Sequence, residues 1–189
     1  MGQHFGTNAA STHVWFDQYA APLLFVQDNQ IGAVAPYEIA QQSLTKVHID
    51  SGGVLSNTLA VTVQSAAPGI YIVLNQDFTV NSPTNPVPPG GAVVLYATGE
   101  GQTIPPGQDG KMAGVHWGDV WPKPVQHVTV QIGGLPAQVL YAGAAPGFIA
   151  GAMQVNTLVP AGVPKGSVVP LVLTVGGFSS QAVRVAVGR

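Results

Sequence analysis

The chain contains one module twice. Gly52-Gly53-Val54-Leu55-Ser56-Asn57 aligns with Gly176-Gly177-Phe178-Ser179-Ser180-Gln181, and Val61-x-Val63 with Val185-x-Val187, at an offset of 124 residues. The same offset carries Gln30-Ile31 onto Gln154-Val155 and Pro36 onto Pro160. Further upstream, Ala21-Pro22-Leu23-Leu24-Phe25-Val26 matches Ala137-Gln138-Val139-Leu140-Tyr141-Ala142 at an offset of 116, which places an eight-residue insertion in the second copy around Ala144 to Gly151. Self-similarity at a fixed spacing marks a repeated supersecondary unit.

The residues that fill this unit are those of short strands and turns. Of 189 residues only 7% are charged, against roughly 25% in an average soluble domain, while 46% are hydrophobic and Gly and Pro number 24 and 16. Solubility therefore rests on uncharged polar side chains and backbone, and helix formers at 3.6-residue spacing are scarce. Alternating or β-branched runs predict strands at 13–16, 23–26, 31–35, 46–49 and 59–63 in the first copy, and at 128–132, 139–142, 153–159, 168–175 and 183–187 in the second. Residues 70–74 and 92–97 add two more. About seven short strands with regular turns in the C-terminal part suggest an immunoglobulin-like sandwich. The expected fold is all-β, two immunoglobulin-like β-sandwiches in tandem.

The expected boundaries are residues 1–65 for a short first sandwich, 66–89 for a connector with one strand, and 90–189 for a second sandwich with a long loop at 99–124. Phe5-Gly6-Thr7-Asn8 weakly echoes Tyr96-Ala97-Thr98-Gly99, so the first sandwich is expected to be truncated inside its first strand, with Met1 an internal start in a longer protein. An unpaired neighbour of that strand would offer an edge for a homodimer.

Charge and cysteine content exclude several function classes. Six Lys and Arg against eight Asp and Glu leave a net charge of −2, and no basic cluster is present to neutralise phosphates, so nucleic acid is not an expected partner. The longest apolar run, residues 19–26, is too short to span a bilayer as a helix. With no cysteine there is no disulfide and no thiol chemistry.

The segment Val93-Val94-Leu95-Tyr96-Ala97-Thr98-Gly99-Glu100-Gly101-Gln102-Thr103, followed by Gly133-Gly134-Leu135-Pro136-Ala137-Gln138-Val139-Leu140-Tyr141-Ala142-Gly143-Ala144-Ala145-Pro146-Gly147, resembles a known family. It is similar to the uncharacterised C-terminal domain of many long Solibacter-type acidobacterial proteins. Ala21-Pro22-Leu23-Leu24-Phe25-Val26 with Gln30-Ile31, Ala66-Ala67-Pro68-Gly69-Ile70, Gln154-Val155-Asn156 and Val175-Gly176-Gly177 also fit, so the resemblance covers nearly the whole chain. It implies a secreted or cell-surface parent protein and a C-terminal β-sandwich, with no established catalytic residues. The chain departs from the family at His116-Trp117-Gly118-Asp119-Val120-Trp121.

That departure lies in the long loop, which holds Glu100, Asp109, His116, Trp117, Asp119 and Trp121. Aromatic planes beside carboxylates suit a sugar, whose C–H faces stack on rings while its hydroxyls bond to the acids. The competing reading has the two Trp residues folding back to cap the second sandwich. Glu100, Asp109 and Asp119 are weak catalytic candidates, since a glycosidase needs two carboxyls roughly 5–9.5 Å apart and their spacing does not demand it. His4, His13, His48, His116 and His127 form no metal-ligand pair, and Gly99-x-Gly101 lacks the strand–turn–helix context of a phosphate loop, so no metal or cofactor is expected. The sequence therefore favours a non-catalytic extracellular binding or spacer module for a polysaccharide or surface component. A small glycoside hydrolase and a pure scaffold are the alternatives.

Overall fold

A computed structural model describes residues 4–114 and 120–188. These residues are all-β, in several sheets none of which closes on itself, with one 3₁₀ turn at Tyr37–Gln41. The first copy supplies β1 (Thr12–Phe16), β2 (Tyr19–Ala20), β3 (Leu23–Gln27), β4 (Gln30–Ala33), β5 (Leu44–Ser51), β6 (Val54–Leu55) and β7 (Leu59–Thr62). Next come β8 (Gly69–Asn75) and β9 (Ala92–Thr98), then β10 (Thr103–Ile104) and β11 (Lys123–Pro124), which pair across the long loop. The second copy supplies β12 (Val128–Ile132), β13 (Leu135–Ala137), β14 (Val139–Ala144), β15 (Ala152–Leu158), β16 (Val168–Val175), β17 (Phe178–Ser179) and β18 (Val183–Ala186).

The sequence repeat is a repeat of strand pairing. The order β2-β1-β5-β6, with β7 also on β5, recurs as β13-β12-β16-β17, with β18 also on β16. Register is kept to the residue: Thr12 faces Ser51 as Val128 faces Val175, and Leu44 faces Thr62 as Val168 faces Ala186. The paired glycines of each hairpin have positive φ, 60° and 86° at Gly52 and Gly53 and 58° and 90° at Gly176 and Gly177. A two-residue hairpin of matching twist requires this, and side-chain-bearing residues resist it. Just beyond, the Ser56 amide donates to Ile49 O and its hydroxyl accepts from the Ile49 amide, both at 2.9 Å. Ser180 brackets Leu173 in the same way at 2.8 and 3.1 Å. Each serine replaces the ladder partner that its strand loses where β6 or β17 ends.

The copies differ in their second sheet. Two residues, Asp28 and Asn29, join β3 to β4, whereas residues 145–151 join β14 to β15, so five of the eight inserted residues lengthen the hairpin loop and the other three extend its strands. The β3–β4 hairpin is two-stranded, while β14–β15 continues through β9 to β8. Thus the strand at 69–75, in the stretch expected to be a connector, pairs with β9 from Gly69↔Thr98 to Asn75↔Val93. Two sheets packed over Leu95, Ile132, Met153, Val155, Leu171, Leu173 and Val175 give the second copy a sandwich-like core. Among the described residues of the first copy, Val14, Ala21 and Leu23 form the buried cluster. Phe5–Asn8, the echo of the β9 end, adds no strand to β4: the Phe5 amide donates to Gly110 O at 2.7 Å, and Gly6 O accepts from Leu23 at 2.9 Å.

Candidate functional site

The two places where the second copy departs from the first meet in space. Long-loop residues pair with the 145–151 insertion through Ala113 N–H to Phe148 O at 2.8 Å, Gly147 N–H to Ala113 O at 3.1 Å and Ala150 N–H to Lys111 O at 2.7 Å. Between them and the 3₁₀ turn of the first copy lies a cavity of about 500 Å³. Its walls include Tyr37, Glu100, Pro105, Pro106, Met112 and Val120, with exposed Lys111 at the rim. The volume is that of a small-molecule site, mostly apolar with few polar groups.

Glu100 is fixed by its neighbours. Gly99 and Gly101 have φ of 75° and 73° and lie against the connector backbone, where an added Cβ would come 1.8 Å from Ala67 O and 2.1 Å from Ser65 O. Glycine is thus required on both sides, which gives Gly99-x-Gly101 a steric reason. Glu100 itself is 1% exposed. Its Oε1 accepts from Tyr37 Oη at 3.2 Å, and its Oε2 is buried with no well-formed hydrogen bond among the described residues. Burial pushes its carboxyl up to about 7, and the Tyr37 bond and the nearby Gly151 backbone offset only part of this.

Tyr37 is held at every polar atom by the long loop. Its amide donates to Asp109 Oδ1 at 3.1 Å, its carbonyl accepts from Gln102 Nε2 at 3.0 Å, and its hydroxyl meets Glu100. The ring covers Gly107, where a Cβ would lie 2.3 Å from Tyr37 Cζ. Burial first, and the charge of Glu100 second, raise the Tyr37 phenol far above its usual range, so it is a hydrogen-bond donor at any physiological pH. Asp109 is half-buried and raised to about 6, chiefly by burial, with Glu38 adding to the rise and the Tyr37 amide and His4 opposing it. Tyr37 and Glu100 also line a second cavity of about 250 Å³ along the seam between the copies.

Of the residues expected at the site, Glu100 and Asp109 are brought together around Tyr37, and of these two Glu100 lines the larger cavity while Asp109 does not. Trp121 is half-buried, donates Nε1–H to Gly114 O at 3.0 Å and stands edge-on to Tyr141 at 6.2 Å. It anchors the loop between Val120 and Pro122, both in the cavity wall. His116, Trp117 and Asp119 lie outside the described residues. Among the described residues, no three His, Asp or Glu side chains cluster as metal ligands would. Nor is any described helix long and apolar enough to cross a membrane.

Tyr37 was not singled out by motif or composition. The signal that finds it is a break in the repeat, because the 124-residue offset carries Tyr37 onto Ala161. The surrounding turn is conserved between the copies, with Ile39 N–H to Pro36 O at 3.5 Å and Val163 N–H to Pro160 O at 3.0 Å. An aromatic hydroxyl has been placed on a shared turn where the other copy has a methyl group.

No family model matches the chain, and no curated protein or solved structure matches it significantly.

Proposed function

We propose that the chain is a non-catalytic binding module of a secreted or cell-surface protein, made of two immunoglobulin-like sandwiches of which the first lacks its outer strands, and that it takes a saccharide unit in the cavity beside Glu100. The observation that carries this reading is the pairing of an apolar cavity of about 500 Å³ with one buried carboxyl whose Oε2 has no well-formed hydrogen bond among the described residues. Proline, Met112 and Val120 offer surface for C–H faces. Near neutrality Glu100 exists in both protonation states and can accept from, or donate to, a sugar hydroxyl. The extracellular setting rests on the family resemblance alone.

Glycoside hydrolysis is favoured by one feature, the rise of Glu100 to about 7, which suits a general acid. Against it, Glu100 is the only carboxyl among the described residues that lines the cavity, and hydrolysis needs two. Incubating the protein with insoluble polysaccharides, pelleting them and assaying the supernatant separates the readings. Depletion of protein without released sugar, lost in Glu100→Gln and Tyr37→Phe, is the expected result. Released sugar would replace the binding reading with hydrolysis, and neither signal would leave a scaffold.

A further inference from the structure

The duplication shows what one edge of the first copy is shaped to meet. β15 is a central strand with β14 on one side and β9 on the other, and its Met153, Val155 and Thr157 are completely buried. Its counterpart β4 has β3 on one side, and no described residue pairs with its other side. The Val34 amide points toward β3, bonding Pro22 O at 2.9 Å, so by alternation the N–H and C=O groups of Ile31 and Ala33 point away from it. The residues one repeat later, Val155 and Thr157, use those groups to pair with Leu95 and Val93 of β9.

Side chains agree with the backbone. Val26, Ile31, Ala33, Phe16, Val47 and Ile49 are only partly buried around the cluster of Val14, Ala21 and Leu23, where the cluster of the second copy with β8 and β9 buries eighteen described residues. β4 is short, but it lacks two of the side-chain devices that keep strands apart. Gln30-Ile31-Gly32-Ala33 has no charge and no proline, and the Phe25 ring covers Gly32, where a Cβ would lie 2.5 Å from Phe25 Cε1.

We infer that the open edge of β4 accepts an antiparallel strand from another polypeptide segment, one whose alternate residues are apolar as Val93, Leu95 and Ala97 are in β9. Main-chain bonds to Ile31 and Ala33 supply the docking, and the alternate side chains enter the half-open core. The occupant is specified by the molecule itself, since β9 fills the same position in the second copy. This inference stands independently of the saccharide site.

The test uses the full chain, labelled for amide NMR, and a synthetic peptide of residues 90–100 with a solubilising lysine tail. The peptide is expected to slow exchange of the Ile31 and Ala33 amides at least tenfold, while a scrambled peptide leaves them unchanged. Ala33→Pro removes an outward amide without touching the β3 ladder, and Ile31→Asn spoils the apolar seat. Each is expected to weaken peptide binding at least tenfold while β16 amides keep their protection. Absence of protection, equal protection by the scrambled peptide, or undiminished binding to both variants would overturn the inference. So would protection in the chain alone that rises with protein concentration alongside a dimer mass, which would make the occupant a second β4.

Discussion

Removing the charge of Glu100 should flatten the pH dependence of stability. Glu100 is raised from 4.5 to about 7 in the folded protein, so between those values the folded chain holds a proton that the unfolded chain has released. Stability from this group is therefore fully present below pH 4.5 and is lost as pH rises through about 7. At about 1.4 kcal/mol per unit, the loss comes to roughly 3 kcal/mol, or about 6–12 °C in Tm for a chain of this size. Asp109 shifts in the same direction, but its partial exposure screens the effect and leaves it a smaller share. Urea melts at half-unit steps from pH 4.5 to 8.5, followed by Trp fluorescence, would give the slope for the parent and for Glu100→Gln. The parent should lose about 3 kcal/mol across this window and the variant only the residue left by Asp109. A Glu100→Gln slope equal to the parent's, or a parent stability that rises with pH, would refute the assignment of a protonated, desolvated carboxyl.

Other consequences follow from the packing. Gly101→Ala places a Cβ 2.1 Å from Ser65 O at a positive φ, and should cost about 3 kcal/mol or more in urea melts, whereas Gly134→Ala, with open space around it, should cost only about 1 kcal/mol. Ser180→Ala leaves the buried Leu173 amide without its acceptor and should cost about 1–3 kcal/mol, while Ser56→Ala, at the exposed equivalent, should cost less than about 1 kcal/mol; chemical denaturation of both distinguishes them. Leu171→Ala, in the full core of the second copy, should cost about 2–5 kcal/mol by the same assay, and Leu44→Ala, at the half-exposed start of β5 where the second copy has Val168, under about 1 kcal/mol.

Strand positions were legible in the sequence because period and turn chemistry are local. Residues 128–132 and 168–175 form strands with the predicted bounds, and the double glycines make the hairpins their positive φ requires. The repeat carries something stronger, since residues of the two copies aligned at offsets of 116 upstream and 124 downstream take equivalent ladder positions. Less legible was the partner of the strand at 69–75, which pairs with β9 through contacts that neither segment's sequence specifies. The site was half legible. Glu100 and Asp109 stood out as acids in a long loop, but their common partner Tyr37 sits 63 residues from Glu100 and 72 from Asp109, and only tertiary packing joins them. Trp121 reads from sequence as a stacking surface, while in the fold its indole N–H is committed to Gly114 and its ring to Tyr141.

Amide chemical shifts during titration with glycan fragments test the proposed site most directly, because one set of spectra locates the ligand and reveals any cleavage product. The account predicts shifts confined to Tyr37, Gln102, Gln108, Met112 and Ala113, absent in Glu100→Gln, with the fragment's own signals unchanged over days. Shifts centred elsewhere, or signals of a shortened fragment, would contradict it.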